Sequence, residues 1–336
     1  MEAPAFRNRT DATALLHPVV TGTGWELLVV VKERFQVLDD GTTRRIGRAQ
    51  IRFADERWDP DDPARSSTRY PHDLAPRKPT TDIVVSAEAV VPSGASSREL
   101  DVRIEVGDAV RSLRVFGPRT WYDAGTEMRP TDPLPFSRAT LRWEDAFGGL
   151  DTSDPSAPLE ELRNPLGRGL AKDPQLLAGA VVPHVEDPTD LIRGHRSRPQ
   201  PAGVGAIGPG FEPRRSAAGT YDDVWRRHRM PLPPLDLDDH FYQAAAPGLR
   251  TRQHLVGGEP VRMLGLHRDG ALSFELPRLS FLVEAPSPEG TAEHVPILDT
   301  VMLEPNARRL ELTWRACLPW PSTLGRRASI HVTEVR

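Results

Sequence analysis

Cysteine is almost absent from this 336-residue chain, where Cys317 stands alone. A single cysteine excludes an intrachain disulfide framework and a zinc site built on thiolates, and it fits a reducing compartment. Its context, Trp314-Arg-Ala-Cys317-Leu, reads as the end of a strand, so a buried structural thiol is expected rather than a nucleophile. Long apolar runs are missing as well. The strongest, Leu27 to Val31, has five residues, against the roughly 20 that a membrane helix needs. The N-terminal stretch Met1-Glu-Ala-Pro-Ala-Phe6 has no charged segment followed by an apolar one, so no signal peptide is expected. These absences predict a soluble, cytoplasmic protein, for which the sequon Asn8-Arg9-Thr10 carries no meaning.

Lysine is scarce too: Lys32, Lys78 and Lys172 are the only ones among 43 basic residues, and the rest are arginine. Arginine suits bidentate recognition of carboxylate or phosphate, but a GC-rich genome gives the same bias and is the simpler reading. The net charge of −4 gives no pull toward nucleic acid or an anionic membrane. Proline, by contrast, is abundant. The chain has 34, about twice the usual frequency of roughly 5%. Proline lacks a donor and stops helices, so long helices must be rare. With 38% hydrophobic and 27% charged residues, a sizeable core remains available.

The first 150 residues read as strands. Trp25 to Val37 is one long run, closed by Asp39-Asp40-Gly41, and Asp82 to Val91 is another. Leu100, Val102, Ile104 and Val106 alternate with polar residues, turn at Gly107-Asp108, and return through Val110, Leu113, Val115 and Phe116. That pattern predicts a hairpin with one buried and one wet face. Ala139 to Phe147 is expected as a further strand. The C-terminal stretch has the same short alternating runs. Val261–Leu266 and Leu272–Leu276 flank Arg268-Asp269-Gly270, and Leu279–Glu284, Val295–Leu303, Leu310–Cys317 and Ser329–Val335 follow. Short strands between turn residues point to a sandwich or open barrel.

Residues 151–250 differ, with 14 prolines, 10 glycines and little periodicity. They still hold Phe211, Tyr221, Trp225, Phe241 and Tyr242, which a disordered linker would rarely keep. An ordered, irregular subdomain lying on the sheets is expected. One short helix fits, capped by Thr220, with Trp225 inside as a core anchor and Pro231 after it.

Each candidate for chemistry has a plainer explanation. Gly203-Val-Gly205-Ala-Ile-Gly208 matches the dinucleotide fingerprint, but that chemistry needs a strand before the turn and a helix after it. Pro199, Pro201 and Pro209 forbid both, which leaves a tight structural loop. Asp236-Leu-Asp238-Asp239-His240 offers oxygen and nitrogen ligands without the spacing of a zinc or calcium site, so a solvated turn is expected. Tyr70-Pro71-His72-Asp73 with Lys78 and Asp82 could form a polar cluster, yet adjacency alone makes no catalytic dyad. Glu144 and Asp145, on a strand, would point to opposite faces. Arg193, Arg196, Arg198, Arg214, Arg215, Arg226 and Arg227 could face an acidic partner or pair with the acids of their own segment, and pairing is the expectation.

Several segments, in order, resemble one bacterial family, the domain of unknown function 2169. They are Leu28-Val-Val-Val-Lys32 with Phe35; Ser67-Thr-Arg-Tyr70, Asp73-Leu-Ala-Pro76 and Lys78-Pro-Thr-Thr-Asp82; Arg114-Val-Phe-Gly117 with Arg119 and Trp121; and Ala146-Phe-Gly-Gly149. Arg163-Asn-Pro165, Gly167-Arg-Gly169, Pro201-Ala-Gly203, Ala218-Gly-Thr-Tyr-Asp222 with Trp225, and Asp238 to Tyr242 continue the likeness, which spans roughly residues 5–280. Glu33-Arg34 stands where the family strand has Ala-Thr, which bears on which strand face is wet; Gln243 replaces a usual Asn. The resemblance implies an accessory of type VI secretion, an adaptor or chaperone that helps load a toxic effector onto the secretion spike. It carries over no catalytic residues.

The expectation is therefore a mainly β protein with two packed or extended antiparallel sheets, sandwich or open barrel, and a loop-rich Pro/Gly subdomain. Its parts are an N-terminal β-rich lobe (1–150), the irregular subdomain (151–250) and a C-terminal β-rich lobe (251–336), or one continuous domain. No catalytic residue, metal or cofactor is expected. The partner is an effector toxin or a spike protein, met through Asp222, Trp225, Arg226, Arg227, Phe241 and Tyr242. A glycan hydrolase and a structural component of a phage-tail-like assembly are the rival readings. A deep pocket holding His72, Asp73 or Asp238 would favour the enzyme, and an exposed apolar surface the adaptor.

Overall fold

The long strand Gly24–Val37 organises the protein. A computed structural model describes residues 4–320 and 329–335; the first three residues of the N-terminal stretch, 1–3, lie outside them. Gly24–Val37 pairs antiparallel with Thr13–Thr21 on one side and with Arg309–Pro319 on the other. Ile297–Glu304 and then Asp82–Val85 extend this six-stranded sheet, with Thr43–Arg45 added beside Gly24–Val37. A five-stranded sheet runs Val185–Glu186, Ala109–Phe116, Glu99–Val106, Pro260–Leu264, Ala271–Glu275. A four-stranded sheet runs Ala5–Asn8, Ser329–Val335, Ser280–Ser287, Gly290–His294. The protein is mainly β, and among the described residues no sheet closes into a barrel.

Period-two alternation explains how the sheets meet. Leu27, Val29, Val31 and Phe35 of one strand and Leu310, Leu312 and Trp314 of its neighbour enter one buried cluster. Val102, Ile104, Leu113 and Val115 of the five-stranded sheet join it, as do Phe281 and Val332 of the four-stranded sheet. Trp314 meets Phe281 edge-on, 5.0 Å between centroids. The same cluster takes Val204, Ile207 and Leu249 from the irregular middle. The predicted hairpin forms as expected, with Val106 opposite Ala109.

Four local expectations are corrected. The run Asp82–Val91 is two strands, Asp82–Val85 and Glu88–Val90, because the chain leaves one sheet at Ser86 and pairs next with Arg138–Thr140. Ala139–Phe147 is not one strand: Trp143–Asp145 forms a 3₁₀ turn that buries the Trp143 ring, so Glu144 and Asp145 lie on a turn. Pairing is mixed rather than wholly antiparallel, since Asp82–Val85 lies parallel to Ile297–Glu304 and Ala5–Asn8 parallel to Ser329–Val335. The short helix α1 (Asp223–His228) is capped by Asp222, not by Thr220, whose hydroxyl is held by Asp236.

Candidate partner-binding surface

The face of the six-stranded sheet turned away from the core carries charge. Lys32 and Arg34 alternate with Val31, Glu33 and Phe35; Glu311, Thr313 and Arg315 alternate with Leu310, Leu312 and Trp314. Such a pattern predicts a wet face, yet Lys32, Glu311 and Arg315 are buried. The irregular segments cover them: Tyr70, Ala206 and Ala244 pack on Val84 and Met302 of that same face. The three buried charges on this face are matched. Lys32 Nζ lies 2.8 Å from Asp73 Oδ2 and 3.2 Å from Glu311 Oε2. Arg52 and Arg34 donate to the two Glu311 oxygens at 2.7 and 2.6 Å. These cations hold the Glu311 carboxyl down at about 2 against the cost of burial. Arg315 pairs with Asp299, and Lys78 Nζ donates to Asp82 and Thr300 at 2.8 Å each.

Of the polar cluster expected around Tyr70 to Asp82, Asp73, Lys78 and Asp82 join this layer. Lys32, Arg52, Asp299, Glu311 and Arg315 were missed, although the charged alternation of residues 311–315 was the visible signal. His72 stands apart: its backbone N–H donates to Asp55, and its Nδ1 accepts from the Leu74 N–H at 3.1 Å. Burial lowers its pKa, which favours the neutral ring.

A cavity of about 570 Å³ borders the layer, lined in part by Arg77, Lys78, Asp299, Arg315 and Cys317. Its cations are paired, Lys78 with Asp82, Arg315 with Asp299, and Arg77 with Glu26 at 2.8 Å; Asp239 and Glu293 also line it, with no ion pair among the described residues. Cys317 is half-buried; its thiol donates to Glu26 at 2.6 Å, and burial with that bond pushes its pKa up to about 12. His72, Asp73 and Asp238 do not line this cavity.

The partner-contact residues expected from sequence divide between the tip and the root of one loop, residues 219–238. The root is tied twice by Asp236, which accepts from Thr220 N and Oγ1 at 3.0 and 2.7 Å. Asp238 N also donates to Ala217 O at 3.0 Å. Gly219 is required there: its φ is +77°, and a Cβ would lie 2.9 Å from Leu237 N. Within the loop, Asp222 caps Trp225 N at 2.8 Å, and Trp225 Nε1 donates to Leu232 O at 2.9 Å. Arg229 reaches Gly22 O at the turn of the longest hairpin and fastens the loop to the sheet.

Trp225 is half-buried, stacked edge-on against Tyr221 at 4.7 Å, and is not the core anchor expected. It stiffens the loop from within. Arg226 pairs with Asp223 at 3.3 Å, Arg227 donates to Asp223 O at 3.2 Å, and both are exposed. Phe241 and Tyr242 sit at the root, on the 3₁₀ turn Asp239–Tyr242. Phe241 lies under Arg214, whose guanidinium carbon is 5.4 Å from the ring centroid. Tyr242 is half-buried, which raises its phenol to about 12.

The outward side of this loop goes unmarked in the sequence. Tyr221, Val224, Met230 and Leu235 are exposed to 55%, 62%, 63% and 85%. No period singles them out, because they project from a turn-rich segment rather than from one face of a long helix.

Other candidates resolve into structure. The loop Gly203–Gly208 starts no helix; Ala202, Val204, Ala206 and Ile207 are buried, and the Trp143 indole donates to Gly205 O at 3.1 Å. Asp236 and Asp238 are spent on Thr220 and His240. Internal pairing of the seven arginines is partial. Arg214 is buried against the Ile207 and Phe241 carbonyls, and Arg198 donates to the His195 and Ser197 carbonyls. Among the described residues no group of three or more His, Cys, Asp and Glu could hold a metal ion, and no helix is long and apolar enough to cross a membrane.

Fold and surface define a mixed-sheet β protein in which a paired charge layer is buried inside and a braced apolar loop projects outside. The chain belongs to the family described as an uncharacterized protein conserved in bacteria (DUF2169), whose model matches residues 23–315. Comparison with curated proteins and with solved structures gave no match.

Proposed function

We propose that this protein is an adaptor that binds a toxic effector in the cytoplasm and helps load it onto the type VI secretion spike. One observation carries the reading: Tyr221, Val224, Met230 and Leu235 stand exposed on a loop pinned at its root by Asp236. Exposed apolar groups on a braced loop bind with little loss of conformational freedom, and loops on a rigid sheet scaffold commonly carry recognition. Asp222 and Trp225 hold the loop, Arg226 and Arg227 supply a polar rim, and Tyr242 with Phe241 form its footing. The type VI pathway comes from what the family resemblance implies.

Deleting the gene tests the proposal. One toxin encoded nearby should fail to accumulate or leave the cell, while the secretion tube still assembles and fires. The same toxin should co-purify with the protein from the native cytoplasm. Normal delivery of every toxin, with no toxin co-purifying, contradicts the adaptor reading.

A further inference from the structure

A second surface shares no lining residue with the 219–238 loop. Beyond the strand Ala109–Phe116, residues 116–133 and 191–197 enclose a cleft of about 630 Å³. Four arginines line it, Arg119, Arg129, Arg193 and Arg196, with Glu127 as the one acid. Arg119 forms its built part: its side chain is only 5% exposed and its guanidinium carbon stands 4.0 Å from the Phe116 ring centroid. One end of that guanidinium is held by Glu186 and the Pro183 carbonyl. Its Nε is buried and finds no acceptor among the described residues. Glu186 is fixed in turn, since its other oxygen accepts from Ile192 N at 2.6 Å.

Across the cleft, Ser197 Oγ accepts from the backbone of Arg193 and Gly194 at 3.1 and 3.3 Å and shapes a tight turn. Arg193 and Arg196 stand exposed on it. Arg119 and Arg129 are paired with Glu186 and Glu127; Arg193 and Arg196 have no ion-pair partner among the described residues. A concave site thus holds an excess of guanidinium, with one buried donor left over. Planar guanidinium groups bind carboxylates through paired hydrogen bonds.

We infer that this cleft takes side-chain carboxylates from an acidic peptide segment of a partner protein. Carboxylate is favoured over phosphate for two reasons. Glu127 lies in the lining and repels a doubly charged phosphate more strongly than a singly charged carboxylate. Phe116, the one aromatic in the lining, has a face covered by the Arg119 guanidinium, so the cleft lacks the open stacking surface that holds nucleic-acid bases. The cleft is separate from the 219–238 loop, and its ligand chemistry does not depend on the secretion pathway.

Fluorescence anisotropy with a labelled hexaglutamate peptide tests it on the full chain. Saturable binding that weakens with added salt is expected. Arg193→Glu combined with Arg196→Glu should lower the affinity by about tenfold or more, with an unchanged melting curve because both side chains are exposed. Arg226→Glu with Arg227→Glu, on the other loop, should leave hexaglutamate binding intact. An oligothymidylate of equal charge should bind more weakly than the peptide. The inference is overturned by any of three results: no saturable binding, equal binding by the Arg193/Arg196 variant, or tighter binding of the oligonucleotide.

Discussion

Glu33 and Glu311 lie on neighbouring strands, where Glu33 faces Leu312 and Arg34 faces Glu311 in the register. Their side chains fall on opposite faces, and their energetics differ in sign. Glu311 is surrounded by Lys32, Arg34 and Arg52, which hold its pKa at about 2. Glu33 points toward the apolar core with Oε2 lacking a hydrogen-bond partner, and burial raises its pKa. Removing Glu311 leaves buried cations unmatched, so Glu311→Gln should cost about 3–5 kcal/mol in urea unfolding at pH 7. Glu33→Gln removes a poorly matched buried charge and should be neutral or stabilising at that pH. The pH dependence follows. The Glu311 contribution is full above the ordinary carboxylate value of 4.5 and is lost as pH falls toward about 2. The Glu33 penalty runs the other way, present when that carboxyl ionises and relieved at low pH. Equal losses in the two variants would contradict this assignment. Cys317, with its thiol near 12, should react with a thiol reagent at pH 8 far more slowly in the native protein than after unfolding. Its place near the end of a strand was legible from the sequence. Its bond to Glu26 was not, because 291 residues separate the two.

At the scale of elements, hairpins were legible because alternation and turn residues are local signals. The 99–106/109–116 and 260–264/271–275 pairs follow directly from them. Breaks inside apolar runs were not legible. Val85 and Glu88 read as one strand, but they pair in different sheets. The role of Gly203 was also hidden, since its neighbour is remote in sequence: a Cβ there would lie 2.9 Å from the Trp143 ring. Gly203→Ala should destabilise by about 1–3 kcal/mol through overpacking, and nicotinamide or flavin nucleotides should leave the melting temperature unmoved. A saturable nucleotide-induced rise would contradict the structural reading of that loop. For α1, loss of the cap in Asp222→Ala should cost about 1 kcal/mol locally, seen as roughly fivefold faster tryptic cleavage at Arg226 and Arg227 with little change in global melting. Trp225→Ala should fall short of the roughly 3–5 kcal/mol of a fully buried tryptophan, because the ring is half-buried in the loop. A global loss of that size would return Trp225 to the core.

The whole molecule explains why so much charge is compatible with a sheet covered on both faces. One face joins the shared apolar core; the other meets irregular segments through a layer of matched ions. Composition and patterning made the β architecture legible. They could not place Tyr70, Ala206 and Ala244 over the charged face, because that contact rests on these few apolar anchors. Asp222, Trp225, Arg226 and Arg227 lie on the loop proposed as the contact surface, while Tyr221, Val224, Met230 and Leu235, which project from it, carry no periodic signal. The most direct test of the adaptor account is the affinity of this protein for the effector that co-purifies with it, measured beside the triple variant Tyr221→Ser, Val224→Ser, Leu235→Ser. These side chains are exposed, so the melting curve should not move. The account predicts that the variant's Kd rises by about a hundredfold, roughly 2.7 kcal/mol. Unchanged affinity in a folded variant would contradict it.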